Sequence, residues 1–242
     1  RELEAKAQKT PAPCVLYTSD IIWQALENWF DRFDIIEIIC NSNAIVQKIK
    51  ALYPQFEFCT KLHVPKWNLF SAYNLESRIE QAMQSHMTLP SGVSLVIETT
   101  ESMTVIDVNS GKFGGDNFED TALEANLIAA REIAYELQLR SIGGLVVIDF
   151  IDMRKAENRT QVLTELRDAM AADNNKVEID GFTKTGVVTL KRSRIQRPWQ
   201  AFYTENCALC SSGLSLNARY YAHKIYREIL ELGPEKNRHN LT

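Results

Sequence analysis

Apolar positions along this chain keep two different rhythms, and the places where one gives way to the other mark its elements. After Pro11-Ala12-Pro13 a short apolar run at 14–17 reads as a strand. Ser19 or Asp20 then caps a helix whose apolar residues Ile21, Ile22, Ala25, Leu26, Trp29 and Phe30 recur at helical spacing. Residues 35–40 form a strand, and Asn41-Ser42-Asn43 caps a helix over 44–53. Strand and helix alternate, so the pattern predicts an α/β layer with at least part of its sheet parallel.

A polar connection through Pro65 leads to a helix at 75–83, which stops before Leu89-Pro90-Ser91-Gly92. A subdomain boundary is placed near Pro90. Beyond it, 95–98 and 103–109 read as a hairpin around the polar turn at 99–102. A glycine-containing loop at 111–116 precedes a helix that opens on Glu119-Asp120, carries the stripe Leu123, Leu127, Ala130, Ala134 and Leu137, and ends near Arg140 ahead of Gly143-Gly144. The nearly continuous apolar run at 145–150 predicts a strand buried on both faces, with Asp149 as its anomaly. A helix at 160–172 and strands at 176–179 and 186–191 complete the layer.

Composition narrows the class. With 242 residues and 45% apolar content the chain is long enough for one sizeable core or two modest ones. Its 31 acidic and 27 basic residues give a formal charge of −4, which excludes nucleic-acid coating by global basicity and leaves only a local patch. No apolar run approaches the roughly 20 residues of a membrane span. The N-terminus has neither a hydrophobic leader nor an initiator Met, so the chain is read as an intracellular fragment or processed chain. Five cysteines are too few and too scattered for a disulfide scaffold. Cys14, Cys40 and Cys59 read as small core hydrophobes, and His63, His86, His223 and His239 as structural or surface residues. Cys207-x-x-Cys210 has the spacing of half a tetrahedral thiolate site, but no second pair follows; a zinc site, a redox pair and two incidental thiols all fit.

The acids on the strands carry the sharper chemistry. Asp107 and Asn109 lie two apart on a strand and therefore share a face, while Asp149 ends another apolar strand. Carboxylates in apolar surroundings need a compensating cation or partner. Mg²⁺ suits them, since it prefers oxygen ligands and is often held by one or two protein carboxylates when a substrate brings phosphate oxygens. The alternative is that Asp107 and Asp149 cap neighbouring backbone or pair with Lys112 and Arg154; Asp152 either joins the site or caps the segment after it.

Three motifs carry a family resemblance: 106–112 with Gly114-Gly115-Asp116, the helical segment 126–134, and 143–153. In this order they resemble the catalytic region of the RNase E/G family of bacterial and plastid endoribonucleases, and the likeness extends from about Cys14 through Leu89-Pro90-Ser91-Gly92 to Cys207-Ala208-Leu209-Cys210. The resemblance implies a fold of the end of a 5′-sensor region at 1–18, part of an RNase H-like subdomain at 19–88, a DNase I-like α/β catalytic subdomain at 89–198, a CxxC zinc link at 199–214, and the start of a small C-terminal helical or α+β domain at 215–242. It further implies that Asp107 and Asp149 bind one catalytic Mg²⁺, with Asn109 orienting the attacking water or the scissile phosphate. Cys207 and Cys210 would share a Zn²⁺ with a second chain, linking a dimer that pairs again into a tetramer. Full-length members of the family begin with an OB-fold RNA-binding module, and this sequence is expected to lack it.

The stretch 181–204 holds Lys184, Lys191, Arg192, Arg194 and Arg197 without an acidic residue, interleaved with Phe182, Trp199, Phe202 and Tyr203. It reads as a strip for single-stranded RNA, or alternatively as a charged, solvated strand edge. Lys112, inside the first motif, joins Lys191, Arg192, Arg194 and Arg197 as a candidate RNA contact. The expected function is Mg²⁺-dependent hydrolysis of single-stranded RNA by a cytoplasmic homo-oligomer, in processing or decay of rRNA, tRNA and mRNA. A catalytically inactive RNA-binding or assembly module derived from such a nuclease is the alternative. A nucleotide-binding enzyme is disfavoured because the chain has no G-x-G-x-x-G or G-x-x-x-x-G-K-[ST] run.

Overall fold

A computed structural model describes residues 35–63, 68–111, 117–195, 198–206 and 214–236. The strand expected at 14–17 and the helix expected after Asp20 lie outside them. The chain divides into two compact units, residues 1–69 and 70–242.

The described part of the first unit is a β-α-β motif. Strands β1 (Ile38–Cys40) and β2 (Thr60–Leu62) pair in parallel, with Ile38 opposite Thr60. Parallel neighbours need a crossover, supplied by helix α1 (Asn43–Leu52), which buries Val46 and Ile49. Cys40 and Cys59 are free and half-buried, and burial pushes the Cys40 thiol up from its ordinary value.

Short helix α2 (Leu69–Ala72) begins at the last residue of the first unit, and in the second unit helix α3 (Leu75–Met83) precedes a six-stranded mixed sheet. Its strands are β3 (His86–Thr88), β4 (Ser94–Thr99), β5 (Met103–Asn109), β6 (Gly144–Asp149), β7 (Val177–Phe182) and β8 (Val188–Arg192), in the spatial order β3-β4-β5-β6-β8-β7. Only β5 and β6 pair in parallel. Helix α4 (Phe118–Leu139) is their crossover, and α5 (Ala156–Met170) connects β6 to β7. The alanines 122, 125, 129, 130 and 134 give α4 a flat buried face, packed in one core with Leu95, Ile97, Ile106, Val108, Val146 and Ile148 of the sheet and Val162, Leu166 and Met170 of α5.

Burial along β6 alternates, and the expectation of a strand covered on both faces is corrected. Val146 and Ile148 are buried, whereas Leu145 is 41% exposed and Val105, on the same side of β5, 39%. With one face committed to the core, the period of two sends every second residue to the other. The C-terminal part consists of α6 (Gln200–Tyr203), the antiparallel pair β9 (Thr204–Asn206) and β10 (Leu214–Leu216), and α7 (Ala218–Lys236). Polar contacts tie α7 to α3. The Tyr220 hydroxyl donates to Glu80 at 3.0 Å, Lys224 pairs with Glu80 at 2.8 Å, and Arg227 pairs with Glu76 at 2.7 Å while lying 4.2 Å from the centre of the Phe70 ring. Burial and the hydrogen bond to Glu80 push the Tyr220 phenol far above its ordinary value.

Candidate metal and nucleic-acid site

The parallel register of β5 and β6 sets Asp107 directly opposite Asp149 at the C-terminal ends of both strands. Neighbouring strands lie about 4.8 Å apart and paired residues share a face. Asn109, two residues beyond Asp107, is on that face too, and its Nδ2 donates to Asp107 Oδ2 at 2.6 Å. This is the face that bears Val105 and Leu145, opposite the helices. Among the described residues no basic side chain pairs with either carboxylate. Arg154 forms no ion pair with them, and Lys112 lies outside the described residues.

Like charges side by side in a sheet repel, and a cation between them removes the penalty. The donors are hard oxygens, two carboxylates and one amide, which fits Mg²⁺ or a similar ion and not a thiophilic metal. Among the described residues no group of three or more His, Cys, Asp or Glu side chains is arranged to hold a metal. A cation held by Asp107 and Asp149 would take its remaining ligands from water and phosphate oxygens, the arrangement Mg²⁺ favours.

Two backbone devices brace the site. In the turn before β4, Leu89 N–H donates to Val93 O at 2.8 Å and Gly92 N–H to Leu89 O at 2.9 Å. Gly111, just past β5, has φ +56°, and a Cβ there would collide with the Gly92 carbonyl oxygen, so the strand bearing Asp107 leaves the sheet by passing tight against this turn. Past β6, the main chain from Ile151 to Lys155 is held by side chains of α4. Asn126 bonds Ile151, and Glu119 accepts from the N–H groups of Arg154 and Lys155, which hold its carboxyl below the usual carboxylate range. Neither role was legible in the local sequence; the signal that existed was a buried-face Asn amid the alanines of α4.

The basic strip splits by strand periodicity. Lys191 is exposed and paired with Leu145, hence on the Asp107/Asp149 face, four residues along β6 from Asp149 or about 13 Å at ~3.3 Å per residue. Arg192 points the other way. It is 5% exposed, its Nε and Nη2 bind Asp173 at 2.7 and 3.0 Å, and its Nη1 donates to Ile142 O at 2.7 Å. The expectation that Arg192 contacts RNA is thereby corrected: all three of its guanidinium nitrogens are engaged inside the protein. Arg194 is exposed, with Nε donating to Gly143 O at 3.0 Å and its guanidinium lying over Gly144, where it leaves no room for a Cβ. Lys184 stands in the β7–β8 turn, at the same sheet end as Asp149 because Val188 pairs with Ile148. Asp152 is exposed near Gly186 of that turn. Arg197, Cys207 and Cys210 lie outside the described residues.

The fold defines an α/β protein whose mixed sheet presents a pair of carboxylates, Asp107 and Asp149, on the face away from its helices. The chain matches the model of the Ribonuclease E/G family over residues 1–195. It is 42% identical over 200 residues to Ribonuclease E of Haemophilus influenzae, covering 80% of this chain and 21% of that protein. Ribonuclease G of the same organism is 33% identical over 238 residues, 96% of this chain and 48% of that protein. Ribonuclease E of Escherichia coli is 38% identical over 217 residues, 86% of this chain and 20% of that protein. The chain belongs to the ribonuclease E/G family. It spans between about a fifth and about half the length of these relatives.

Proposed function

We propose that this chain carries the hydrolytic centre of a Mg²⁺-dependent endoribonuclease that cuts single-stranded RNA in processing or decay of cellular RNA in the cytoplasm. The observation that carries the reading is the registered pair Asp107–Asp149 with Asn109 on the same face, in a member of a ribonuclease family. Asp107 and Asp149 would hold the ion. When bound, Mg²⁺ lowers the pKa of a coordinated water and offsets charge on phosphate oxygens, so hydrolysis requires no Ser, Cys or His nucleophile. Asn109 fixes the Asp107 carboxylate through Nδ2 and offers its Oδ1 to an attacking water. In this reading residues 89–198 are a DNase I-like subdomain, 19–88 part of an RNase H-like one, and 199–214 a zinc link ahead of a small C-terminal domain. Cleavage of a single-stranded, AU-rich oligonucleotide that requires Mg²⁺ tests it; RNA binding with no cleavage at any Mg²⁺ concentration would favour the inactive RNA-binding module.

Lys191 and Arg194 are the remaining described candidates for phosphate contact on the strip. Lys191→Ala and Arg194→Ala should each weaken RNA binding and flatten its salt dependence, by about 0.7–1 unit of slope for every phosphate left without its cation. Fluorescence anisotropy across a salt series reads the slope, and an unchanged one returns the strip to a solvated edge.

Zinc is the second metal of the proposal. Two thiolates from one chain leave a tetrahedral ion half-coordinated, and a second copy of the chain supplies the rest. Cys207→Ser or Cys210→Ser, or removal of zinc by a chelator, should convert the protein to a smaller species in analytical ultracentrifugation, with one zinc per two chains beforehand. A zinc-free protein that keeps its oligomeric state would sink this part of the reading.

A further inference from the structure

We propose that Asn126 and Glu119 are positioning residues for the cation site, holding Asp149 in place by clamping the main chain that comes after it; the proposal rests on the reading of Asp107 and Asp149 as the cation's ligands. Strand β6 ends at Asp149, and the chain must then leave the sheet and turn into α5. Two residues on, both main-chain polar groups of Ile151 are taken by one side chain: Asn126 Nδ2 donates to Ile151 O at 2.8 Å, and Ile151 N–H donates to Asn126 Oδ1 at 3.0 Å. Asn126 is fully buried in the middle of the small-residue face of α4, a position where an apolar residue would pack at less cost to the helix. A paired contact of this kind fixes both the place and the tilt of a peptide. Phe150 between them is buried, its ring 6.1 Å from that of Phe182.

Glu119, two turns earlier on α4, completes the clamp. Its Oε2 accepts from Arg154 N–H at 3.0 Å, and its Oε1 from Lys155 N–H at 3.0 Å and from Asn158 Nδ2 at 2.9 Å. Lys155 is the N-cap position of α5 and makes no side-chain cap of its own, so α5 is capped from a neighbouring helix. Arg159 Nε adds a bond to Met153 O at 2.9 Å. The chain is thus tethered at Ile151, Met153, Arg154 and Lys155, and both α4 tethers lie in the N-terminal half of that helix.

The physical need for the clamp arises at the site itself. Asp107 and Asp149 repel each other when no cation lies between them, and the parallel pairing of β5 and β6 ends at these very residues. A carboxylate at a strand end is free to swing away unless the segment beyond it is fixed. Groups that fix a ligand without touching the metal commonly matter to metal affinity by about 10–100-fold.

The test compares the full chain with Asn126→Asp, which keeps the acceptor for Ile151 N–H but sets a carboxylate against Ile151 O, and with Glu119→Gln, which keeps one acceptor oxygen. Arg131→Ala serves as the control: Arg131 sits on the outer side of α4, pairs with Glu165 at 2.9 Å, and touches no part of the clamp. Calorimetric titration with Mn²⁺ and Mg²⁺ reads affinity directly, circular dichroism reads folding, and cleavage is followed against Mg²⁺ concentration. We expect Asn126→Asp to weaken metal binding roughly 10–100-fold and Glu119→Gln less, with kcat at saturating Mg²⁺ within a few-fold of the parent, because both ligands remain. Arg131→Ala should match the parent. Folded variants that bind the ions as tightly as the parent would overturn the proposal, as would unfolding of both, which would make Asn126 and Glu119 simple supports of the fold. If the parent itself binds no Mg²⁺, the cation reading fails and this proposal with it.

Discussion

Asp149→Asn and Asp107→Asn should each slow Mg²⁺-dependent RNA cleavage by at least about a hundredfold to a thousandfold, the scale on which losing one preorganised charged contact acts, without weakening the fold. The two effects separate because the site works against stability. The two carboxylates stand opposite each other across β5 and β6 and no basic side chain among the described residues pairs with them, so neutralising either removes a repulsion of up to about 1 kcal/mol. Asn fits the same volume, and at position 107 its Oδ1 still accepts from Asn109 Nδ2. Each variant should therefore unfold at the same temperature as the parent or slightly above it when Mg²⁺ is absent. Adding Mg²⁺ should raise the parent's midpoint by mass action, RT ln(1 + [Mg²⁺]/Kd), and leave the variants where they were. Single-turnover cleavage and thermal scans with and without Mg²⁺ check both halves. Wild-type rates in either variant, or a Mg²⁺ shift that survives the substitution, would place the chemistry elsewhere.

Elements with a strong local rhythm were legible. The alternation Thr104, Ile106, Val108 marks β5 over the residues it occupies, and the apolar stripe between Glu119-Asp120 and Gly143-Gly144 marks α4 to within a residue or two. The elements that escaped had their cause elsewhere in the fold. The edge strand β3 is only His-Met-Thr, too short to show a period, and exists because Met87 finds Leu95 to pair with. Helix α5 starts at Ala156, earlier than the expected 160, because its first turn is capped by Glu119 and not by a neighbour in sequence. Strand β7 runs on to Phe182 through an irregularity at Gly181, whose φ of +100° a glycine tolerates, where composition suggested an end at 179. The same-face relation of Asp107 and Asn109 follows from their spacing, but the register that brings Asp149 opposite Asp107 depends on how two strands pair, which no run of residues displays. For the same reason Lys191 and Arg192, adjacent and alike in sequence, belong to opposite faces.

Arg192→Ala should destabilise the protein by about 3–5 kcal/mol, the usual cost of removing one partner of a buried ion pair, and leave the salt dependence of RNA binding unchanged. The Arg192 and Asp173 side chains are 6% and 2% exposed, so truncating the arginine leaves a carboxylate that neither water nor another cation reaches. Ile142 O loses its donor at the same time, and the loop whose Asn175 N–H donates to Asp173 Oδ1 at 2.9 Å loses the ion pair that ties it to β8, keeping only the bonds of Asn175 and Lys176 to Ser193. Arg192→Lys should recover only part of the loss, because an ammonium cannot bridge both Asp173 oxygens and the Ile142 carbonyl with the guanidinium's fixed fork. The double variant Arg192→Ala with Asp173→Ala should be more stable than Arg192→Ala alone, since it removes the stranded charge. Urea unfolding measures the series, and RNA binding of whichever variants remain folded at low temperature gives the second readout. Stability within about 1 kcal/mol of the parent would mean that solvent reaches Asp173, and a flattened salt slope in a folded Arg192→Ala variant would restore this residue to the RNA-contacting strip alongside Lys191.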